Sequence, residues 1–279
     1  MKNIEFPIPI TKMSGAGNDF IIIDHRSQFI PVAFHAQFAQ MVCRRRFSVG
    51  ADGLILIEDA EATDFSWRFY NNDGSIAEMC GNGARCAARY AYQLGIAGQR
   101  MNFSTVAGVI EAEILGEQEH VSVRMTEPFG YQDSNLISLG GQEREIFSIN
   151  TGVPQAVVFV DTDEIPLKLW GRTVRFHEDF EPAGTNVNFI RVLEDGNLHV
   201  RTYERGVEDE TMACGTGVVA SAIIAAMQGL TESPVEVITS GGESLMVQFE
   251  LDGSKVTNVY LQGAARIIYE GQLTAEALL

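Results

Sequence analysis

The sequence predicts an α+β protein built from two similar halves. The main observation is a repeat, since Cys80 lies in Met-Cys-Gly-Asn-Gly-Ala and Cys214 lies in Ala-Cys-Gly-Thr-Gly-Val. In each half an alternating apolar segment and a polar loop precede the cysteine, and an Ala-rich segment follows it, which is the order of a strand, a loop and a helix. We therefore predict domains of residues 1–140 and 141–279, with the Gly-rich stretch 139–142 as the linker.

The repeated motif places one long helix in each half, after a strand. The predicted strands are 65–70 and 198–203, and the predicted helices are 81–92 and 215–227. Further segments of β type follow each helix, so each half is expected to be mostly sheet. These further segments are 103–115 and 120–125 in the first half, and 235–238, 245–251 and 256–262 in the second.

Charge and hydropathy exclude several classes of protein. The 279 residues include 20 Lys and Arg against 37 Asp and Glu, a formal net charge of −17, which repels nucleic acids and anionic membrane surfaces. The N-terminus lacks the apolar region of a signal peptide, and the longest apolar stretch, 218–227, is too short to cross a bilayer. The sequence predicts a soluble cytoplasmic protein with no nucleic-acid or membrane partner.

The two repeated cysteines point to acid–base chemistry. A thiol at a helix N-terminus faces unpaired backbone N–H groups and the positive end of the helix dipole, which favour the thiolate. Similar halves often place a ligand in the crevice between them, so we expect Cys80 and Cys214 to approach one substrate from opposite walls. One sulfur as base and the other as acid could invert a carbon centre. The pattern predicts a racemase or epimerase.

No cofactor or metal is predicted. Gly15-Ala16-Gly17 is an incomplete dinucleotide loop, and the chain has neither Cys-x-x-Cys nor a closely spaced histidine pair. Cys43 and Cys86 lack the flanking glycines and are interpreted as structural thiols. Backbone N–H groups of the two Gly-rich helix starts could instead bind the substrate carboxylate and stabilise the charge that develops during proton removal.

Several long blocks resemble the diaminopimelate epimerases over nearly the whole chain. They include KMSGAGNDFIIID, VGADGLILIE, FYNNDGSIAEMCGNGARC, NTGVPQAVVFVD, GTNVNFIRV and YERGVEDETMACGTG. The resemblance implies two pseudo-symmetric domains, each a mostly antiparallel sheet or barrel wrapped around a central helix. It further implies a homodimer that epimerises LL-2,6-diaminopimelate to the meso form without a cofactor, in lysine and peptidoglycan-precursor synthesis.

The resemblance also assigns roles to residues of this chain. Cys80 and Cys214 would be the acid and base, supported by Glu204 and Gln155. The substrate would be bound by Asn18, Asn71, Gly81, Asn82, Asn186, Glu204, Arg205, Gly215 and Thr216, with Gly53, Gly83, Val153 and Gly217 as weaker candidates. Three positions depart from the family. Gln155 replaces a frequent histidine, and Val153 and Gly53 replace Asn and Gln found in some relatives.

Other interpretations remain open at this point. The chain could be a two-cysteine racemase of another amino acid such as histidine or proline, an amino-acid-binding module without catalysis, or a redox enzyme with a Cys80–Cys214 disulfide. Locally, Asn18 and Asn71 could serve only as turn residues, and Glu204 with Arg205 could be a surface ion pair.

Overall fold

The protein consists of two compact units. The computed structural model describes residues 4–77, 79–116 and 119–279. The first unit is Met1–Val123 together with Gly263–Leu279, and the second is Arg124–Gln262. The division therefore lies near residue 123 and not at the predicted residue 140, and the C-terminal segment belongs to the first unit.

The described residues form seventeen strands and four α-helices. In chain order they are β1 (Ile8–Gly15), β2 (Asn18–Asp24), α1 (His35–Val42), β3 (Gly53–Glu58), β4 (Phe65–Asn71), α2 (Gly81–Gln93), β5 (Arg100–Thr105), β6 (Gly108–Ile114), β7 (His120–Arg124), β8 (Phe129–Leu139), β9 (Gln142–Asn150), β10 (Pro154–Phe159), α3 (Leu167–Arg175), β11 (Asn186–Val192), β12 (Leu198–Glu204), β13 (Asp209–Thr211), α4 (Gly215–Met227), β14 (Val235–Thr239), β15 (Ser244–Asp252), β16 (Lys255–Ala264) and β17 (Arg266–Leu273).

The first unit is a mixed, mostly antiparallel sheet. Its strands pair in the order β17-β1-β2-β3-β4-β5-β6-β7, and only β2 with β3 and β4 with β5 are parallel. Helix α2 packs against β1, β2, β3 and also β6, so the sheet curves around it. Ala84, Ala87, Ala88 and Ala91 are fully buried, because small side chains let the strands approach the helix closely.

The second unit repeats this pattern strand for strand. The order is β8-β9-β10-β11-β12-β14-β15-β16, with parallel pairs at β10–β11 and β12–β14, and the short β13 pairs with the end of β12. Helix α4 contacts β9, β10, β11, β12, β14 and β15. It is apolar on all sides, as expected of a helix enclosed by a sheet. The predicted α+β fold of two similar halves is confirmed.

The predicted linker is wrong. Residues 139–142 join β8 to β9 in a tight hairpin, and Gly140 and Gly141 have φ of 65° and 80°. Two consecutive residues with positive φ match the twist of a two-residue hairpin, and glycine adopts that backbone without strain. Gly-Gly pairs occur both in linkers and in hairpin turns, so composition alone could not distinguish the two. The first unit includes residues 263–279 because β17 pairs with β1, a contact that local sequence does not reveal.

Candidate active site

Cys80 is the residue immediately before α2, as the motif predicts. Its backbone is extended (φ −148°, ψ 114°), and its Sγ accepts a hydrogen bond from the N–H of Gly83 at 3.5 Å. The side chain is half-buried. The first N–H groups of a helix have no carbonyl partner within the helix, so the N–H groups of Gly81 and Asn82 are available to an anion.

A chain of side-chain hydrogen bonds fixes Asn82 in the first turn of α2. The guanidinium of Arg85 donates to Asn82 Oδ1 at 2.7 Å, and Asn82 Nδ2 donates to Asn18 Oδ1 at 2.6 Å. Asn18 Nδ2 in turn donates to Asp52 Oδ2 at 3.0 Å. Arginine can only donate and an ionised aspartate can only accept, so the two charged ends set the orientation of both amides. Two predicted site residues, Asn18 and Asn82, are therefore directly bonded.

Basic side chains hold the start of β2, which carries Asn18. Arg45 binds Asp19 at 2.6 Å and Asp52 at 2.9 Å, and Lys12 binds Asp19 at 2.6 Å. Burial raises the pKa of the Asp19 carboxyl, but the hydrogen bonds from Arg45 and Lys12 outweigh it and leave this pKa below its ordinary value. Asp19 is consequently ionised at neutral pH.

Asn71 and Gly53 both have local structural roles, Asn71 in a turn and Gly53 in a closely packed strand. Asn71 Nδ2 donates to Ser75 Oγ at 3.0 Å within the turn that follows β4, so part of this side chain serves the turn. Gly53 lies in β3, and a Cβ there would be 2.4 Å from Phe69 Cε2 and 2.8 Å from the carbonyl oxygen of Tyr70. This packing leaves no room for a side chain at residue 53 unless its neighbours move.

Cys214 occupies the equivalent position before α4, with different surroundings. Its backbone is extended (φ −117°, ψ 106°) and its side chain is buried. The Thr216 hydroxyl oxygen lies 3.5 Å from Cys214 Sγ, and Asn186 Nδ2 lies 4.0 Å from it. Gly215 begins the helix, and its N–H belongs to the same unpaired first turn as that of Thr216.

Asn186 connects Cys214 with the loop after β12. Its Oδ1 accepts from the backbone N–H of Arg205 at 2.8 Å, while its Nδ2 faces the sulfur. Arg205 is half-buried as a residue, and its guanidinium donates to the carbonyl of Ala183 at 3.1 Å. Burial raises the pKa of the neighbouring Glu204 carboxyl. The predicted residues Asn186, Arg205 and Cys214 are therefore brought together within the second unit.

Gln155 contacts the Thr216 hydroxyl. Its Nε2 donates to Thr216 Oγ1 at 2.9 Å, and Thr151 Oγ1 donates to the Thr216 carbonyl at 2.9 Å.

The remaining weaker candidates are Val153 and the second glycine of each motif. Val153 is half-buried in the turn before β10. A Cβ on Gly217 would lie 2.1 Å from Asn188 Oδ1, whereas a Cβ on Gly83 would find its nearest neighbour at 3.4 Å. The two glycines of the repeat thus face different surroundings.

Sequence reasoning missed the residues that orient these side chains. Arg85 is fully buried, and Asp52 and Arg45 complete the charged network of the first unit. Asn188 and Thr202 lie behind Gln155 in the second unit. Two signals were present in the sequence. Arg85 stands among small residues in the first turns of an Ala-rich helix, and Asn188 comes two residues after Asn186, on the same face of a strand.

One buried group in the first unit has the composition of a metal site. Ligand atoms of His25, His35 and Glu58 lie within 4.8 Å of one another, and all three side chains are buried. Every imidazole nitrogen already has a protein partner: His25 bonds Glu58 at 2.9 Å and the Ile30 N–H at 3.0 Å, and His35 bonds the Ile30 carbonyl at 2.8 Å and Tyr70 at 3.1 Å. We interpret the cluster as a hydrogen-bonded network that needs no cation.

None of the helices in the described part of the chain has the length and hydropathy of a membrane-spanning segment.

Comparison with known proteins identifies one family. A family model described as diaminopimelate epimerase matches residues 10–129 and 147–268. The chain is 44% identical over 277 residues to a diaminopimelate epimerase of Aquifex aeolicus, covering 96% of this chain and 98% of the relative. It is 45% identical to one from a Hydrogenobaculum species, covering 96% and 99%.

Solved structures with little sequence similarity share the fold. A Bacillus anthracis phenazine biosynthesis protein superposes with a TM-score of 0.75 at 15% identity, over 97% of this chain and all of that one. A probable proline racemase from Agrobacterium radiobacter gives a TM-score of 0.69 at 16% identity, over 96% and 93%. At such identities the likeness concerns the fold alone. The full-length relatives and the family model show that the chain belongs to the diaminopimelate epimerase family.

Proposed function

We propose that this chain interconverts LL-2,6-diaminopimelate and meso-diaminopimelate by moving a proton at one α-carbon, with Cys80 and Cys214 as acid and base. The observation that carries the proposal is that each cysteine immediately precedes the enclosed helix of a unit, in a member of the diaminopimelate epimerase family. The enzyme is an isomerase, and its substrate is a small amino acid.

The reaction needs one base and one acid on opposite faces of the carbon. The thiolate of one cysteine removes the α-proton and becomes a thiol, while the thiol of the other delivers its proton to the opposite face and becomes a thiolate. No electrons are gained or lost. The enzyme ends each turnover in the protonation state that accepts the other stereoisomer, so the two sulfurs exchange roles with the direction of reaction.

Charge that builds up during proton removal is delocalised into the substrate carboxylate. We assign its stabilisation to the N–H groups of Gly81, Asn82, Gly215 and Thr216, which lie in the unpaired first turns of α2 and α4. Asn18 supports this role through its bond to Asn82. Preorganised backbone donors need no cofactor to act, and they keep their orientation while charge develops.

The second amino-acid group of diaminopimelate requires its own recognition. A guanidinium can pair in bidentate fashion with a carboxylate, so Arg205 would bind the distal carboxylate. Glu204 would bind the distal ammonium, and Asn71 and Asn186 supply amide donors and acceptors. The bond from the Arg205 N–H to Asn186 supports this assignment, because it ties the loop to the residue that faces Cys214.

The test combines substrate choice with single cysteine variants. Chiral chromatography should show that the wild-type chain converts LL-diaminopimelate to the meso form and leaves proline and histidine unchanged. Cys80→Ser and Cys214→Ser should each lose at least about 10³-fold in kcat, since each removes an obligatory proton carrier. Cys43→Ala is the matched control, because this buried thiol lies at the end of α1, and it should retain activity within about 2-fold.

Two outcomes would contradict the proposal. Equal or faster racemisation of proline or histidine would assign the chain to another substrate. Activity that survives in both serine variants would remove the cysteines from the mechanism.

The family resemblance also supports a cytoplasmic homodimer. Sedimentation equilibrium of the purified chain, which has a mass of 30.6 kDa, should give twice that mass. A monomer at concentrations where the enzyme is fully active would contradict the dimer.

A further inference from the structure

We infer that Asn188 is a positioning residue for Cys214, acting through Gln155 and Thr216. The inference deepens the proposed function and rests on it. Four polar side chains form one continuous line in the second unit, from Thr202 through Asn188 and Gln155 to Thr216, which lies next to the sulfur. The line ends at the Thr216 hydroxyl, whose oxygen lies 3.5 Å from Cys214 Sγ.

The orientation of Asn188 is set by the main chain. A backbone carbonyl can only accept, so the atom of Asn188 that lies 3.0 Å from the Ala156 oxygen is the amide nitrogen, Nδ2. The amide oxygen therefore faces Thr202, whose hydroxyl donates to it at 2.8 Å. The rigid β10 backbone thus determines which way this side-chain amide points.

This orientation passes along the line to Thr216. The second hydrogen of Asn188 Nδ2 is donated to Gln155 Oε1 at 2.9 Å, which leaves Gln155 Nε2 facing Thr216 Oγ1 at 2.9 Å. The Thr216 oxygen is occupied as an acceptor by this bond. A thiolate can only accept hydrogen bonds, so when Cys214 is ionised the Thr216 hydroxyl donates its hydrogen to Cys214 Sγ, 3.5 Å away.

Burial and close packing hold the line in place. Asn188, Gln155 and Thr202 are almost completely buried, so water does not compete for their hydrogen bonds. Gly217 permits the approach, because a Cβ there would lie only 2.1 Å from Asn188 Oδ1. The start of α4 is therefore packed directly on the amide that orients it.

The chemical effect is a fixed donor to the sulfur. A hydroxyl that donates to sulfur stabilises the thiolate and holds the side chain in one rotamer. None of the four residues in the line titrates near neutral pH, so the donor is present at every working pH. A histidine in place of Gln155 would itself gain or lose a proton in that range.

The test measures the ionisation of Cys214 alone. Burial raises the pKa of Cys43 and of Cys86 to about 12, so neither thiol ionises between pH 6 and 9. In a Cys80→Ser background, thiolate absorbance at 240 nm over this range therefore reports Cys214. This readout requires no substrate, so it is independent of the reaction that the enzyme catalyses.

Breaking the line should move this titration. In the Cys80→Ser background, Asn188→Leu and Gln155→Leu should each shift the midpoint up by about one pH unit, equivalent to a tenfold loss of thiolate below the midpoint. Thr202→Val removes only the last donor, while the Ala156 carbonyl still orients Asn188, so its shift should be smaller. Thr216→Ser keeps the hydroxyl and should restore the wild-type midpoint, whereas Thr216→Val should behave like Gln155→Leu.

The same substitutions in a Cys214→Ser background provide the control. There the absorbance reports Cys80, which lies in the first unit, and Asn188→Leu and Gln155→Leu should leave its midpoint unchanged. An unchanged Cys214 midpoint in folded Gln155→Leu, or equal shifts for both cysteines, would overturn the inference. If Asn188→Leu does not fold, Gln155→Leu and the Thr216 pair decide the matter. If the wild-type chain has no epimerase activity but the Cys214 midpoint still shifts in these variants, the proposed function is contradicted and the positioning role stands.

Discussion

The two units present the same motif and surround it with different chemistry. In the first unit the residues behind the cysteine loop are anchored by charges, from Arg85 through Asn82 and Asn18 to Asp52. In the second unit the corresponding line is neutral and is anchored by a backbone carbonyl at Ala156. Identical strand order and helix position therefore do not impose identical electrostatics on the two sulfurs.

The difference bears on how one reaction uses two similar thiols. Arg85 lies in α2, the helix that Cys80 precedes, and its buried guanidinium donates to the carbonyl of Gly81. A positive charge therefore lies near the N-terminus of α2. Cys214 instead faces a hydroxyl and an amide. We expect charge removal to damage the first unit more than the loss of a neutral link damages the second.

The largest effect is expected when the charged anchor is removed. Arg85→Met leaves buried Asn82 Oδ1 without its donor, which costs about 1–3 kcal/mol in the free energy of unfolding. It also frees Asn82 to rotate, so kcat should fall by about 100-fold, against about tenfold for Gln155→Leu. Urea denaturation and steady-state kinetics measure the two effects. Arg46→Met on the exposed surface is the control, and equal losses from Arg85→Met and Gln155→Leu would remove the contrast.

The repeat itself offers a matched pair of glycines. Gly217→Ala forces a Cβ to within 2.1 Å of Asn188 Oδ1 and should destabilise the protein by about 1–3 kcal/mol. Gly83→Ala meets nothing closer than 3.4 Å, and it should be neutral or stabilise by up to about 1 kcal/mol because alanine restricts the unfolded chain. Thermal unfolding of the two variants checks the prediction. Similar destabilisation by both would show that the surroundings of the two glycines are alike.

Glu204 should show opposite effects on binding and on stability. Glu204→Gln removes a charged partner of the distal ammonium and should lower kcat/KM about 10- to 100-fold. Burial raises the pKa of this carboxyl, so the folded state disfavours its ionised form. Stability is therefore lost as pH rises through the raised pKa, and Glu204→Gln should have an equal or slightly higher Tm than wild type at pH 7.5.

The same comparison at low pH is the control for Glu204. At pH 4 the carboxyl is largely protonated in the folded state, so the difference in Tm should shrink or disappear. A Tm that falls at pH 7.5 in Glu204→Gln would contradict a buried, destabilised carboxylate.

The smallest effect concerns acid stability of the first unit. Burial lowers the pKa of His35 below its ordinary value of 6.5, so the folded state keeps this imidazole neutral. As pH falls below about 6.5, His35 binds a proton in the unfolded chain but stays neutral in the folded chain. The free energy of unfolding therefore falls by at most about 1.4 kcal/mol per pH unit. Urea unfolding from pH 7.5 to 5.5 should show this slope, reduced in His35→Gln and unchanged in His120→Gln, whose side chain is exposed. An unchanged slope in His35→Gln would exclude His35 as its source.

Much of the scaffold was predictable because its signals are local. Helix α4 matches the predicted range 215–227, and α2 extends the predicted 81–92 by one residue, since Gly-rich starts and Ala-rich interiors mark such helices directly. The order of elements around each cysteine also followed from the repeat. What connects these elements is not local: Asn188 and Gln155 are far apart in sequence and meet because β10 and β11 pair in parallel.

The orienting residues were hidden for the same physical reason. A buried arginine such as Arg85 and an inward-facing asparagine such as Asn188 look like ordinary polar residues until the partner across the sheet is known. The sequence shows glutamine at residue 155, where the family often has histidine, but it does not show which residue this glutamine contacts. The structure shows it bonded to Thr216, so the glutamine reaches the sulfur through a hydroxyl.

The isotope pattern of the first turnovers in D₂O tests the central proposal most directly. If one sulfur removes the α-proton and the other delivers a solvent-derived deuteron, the first meso-diaminopimelate formed from the LL isomer carries one α-deuterium, while the remaining LL isomer carries none. Mass spectrometry of both isomers at low conversion gives the answer. Deuterium appearing in the recovered LL isomer as fast as in the meso product would show that a single group both removes and returns the proton, which contradicts a mechanism with two thiols.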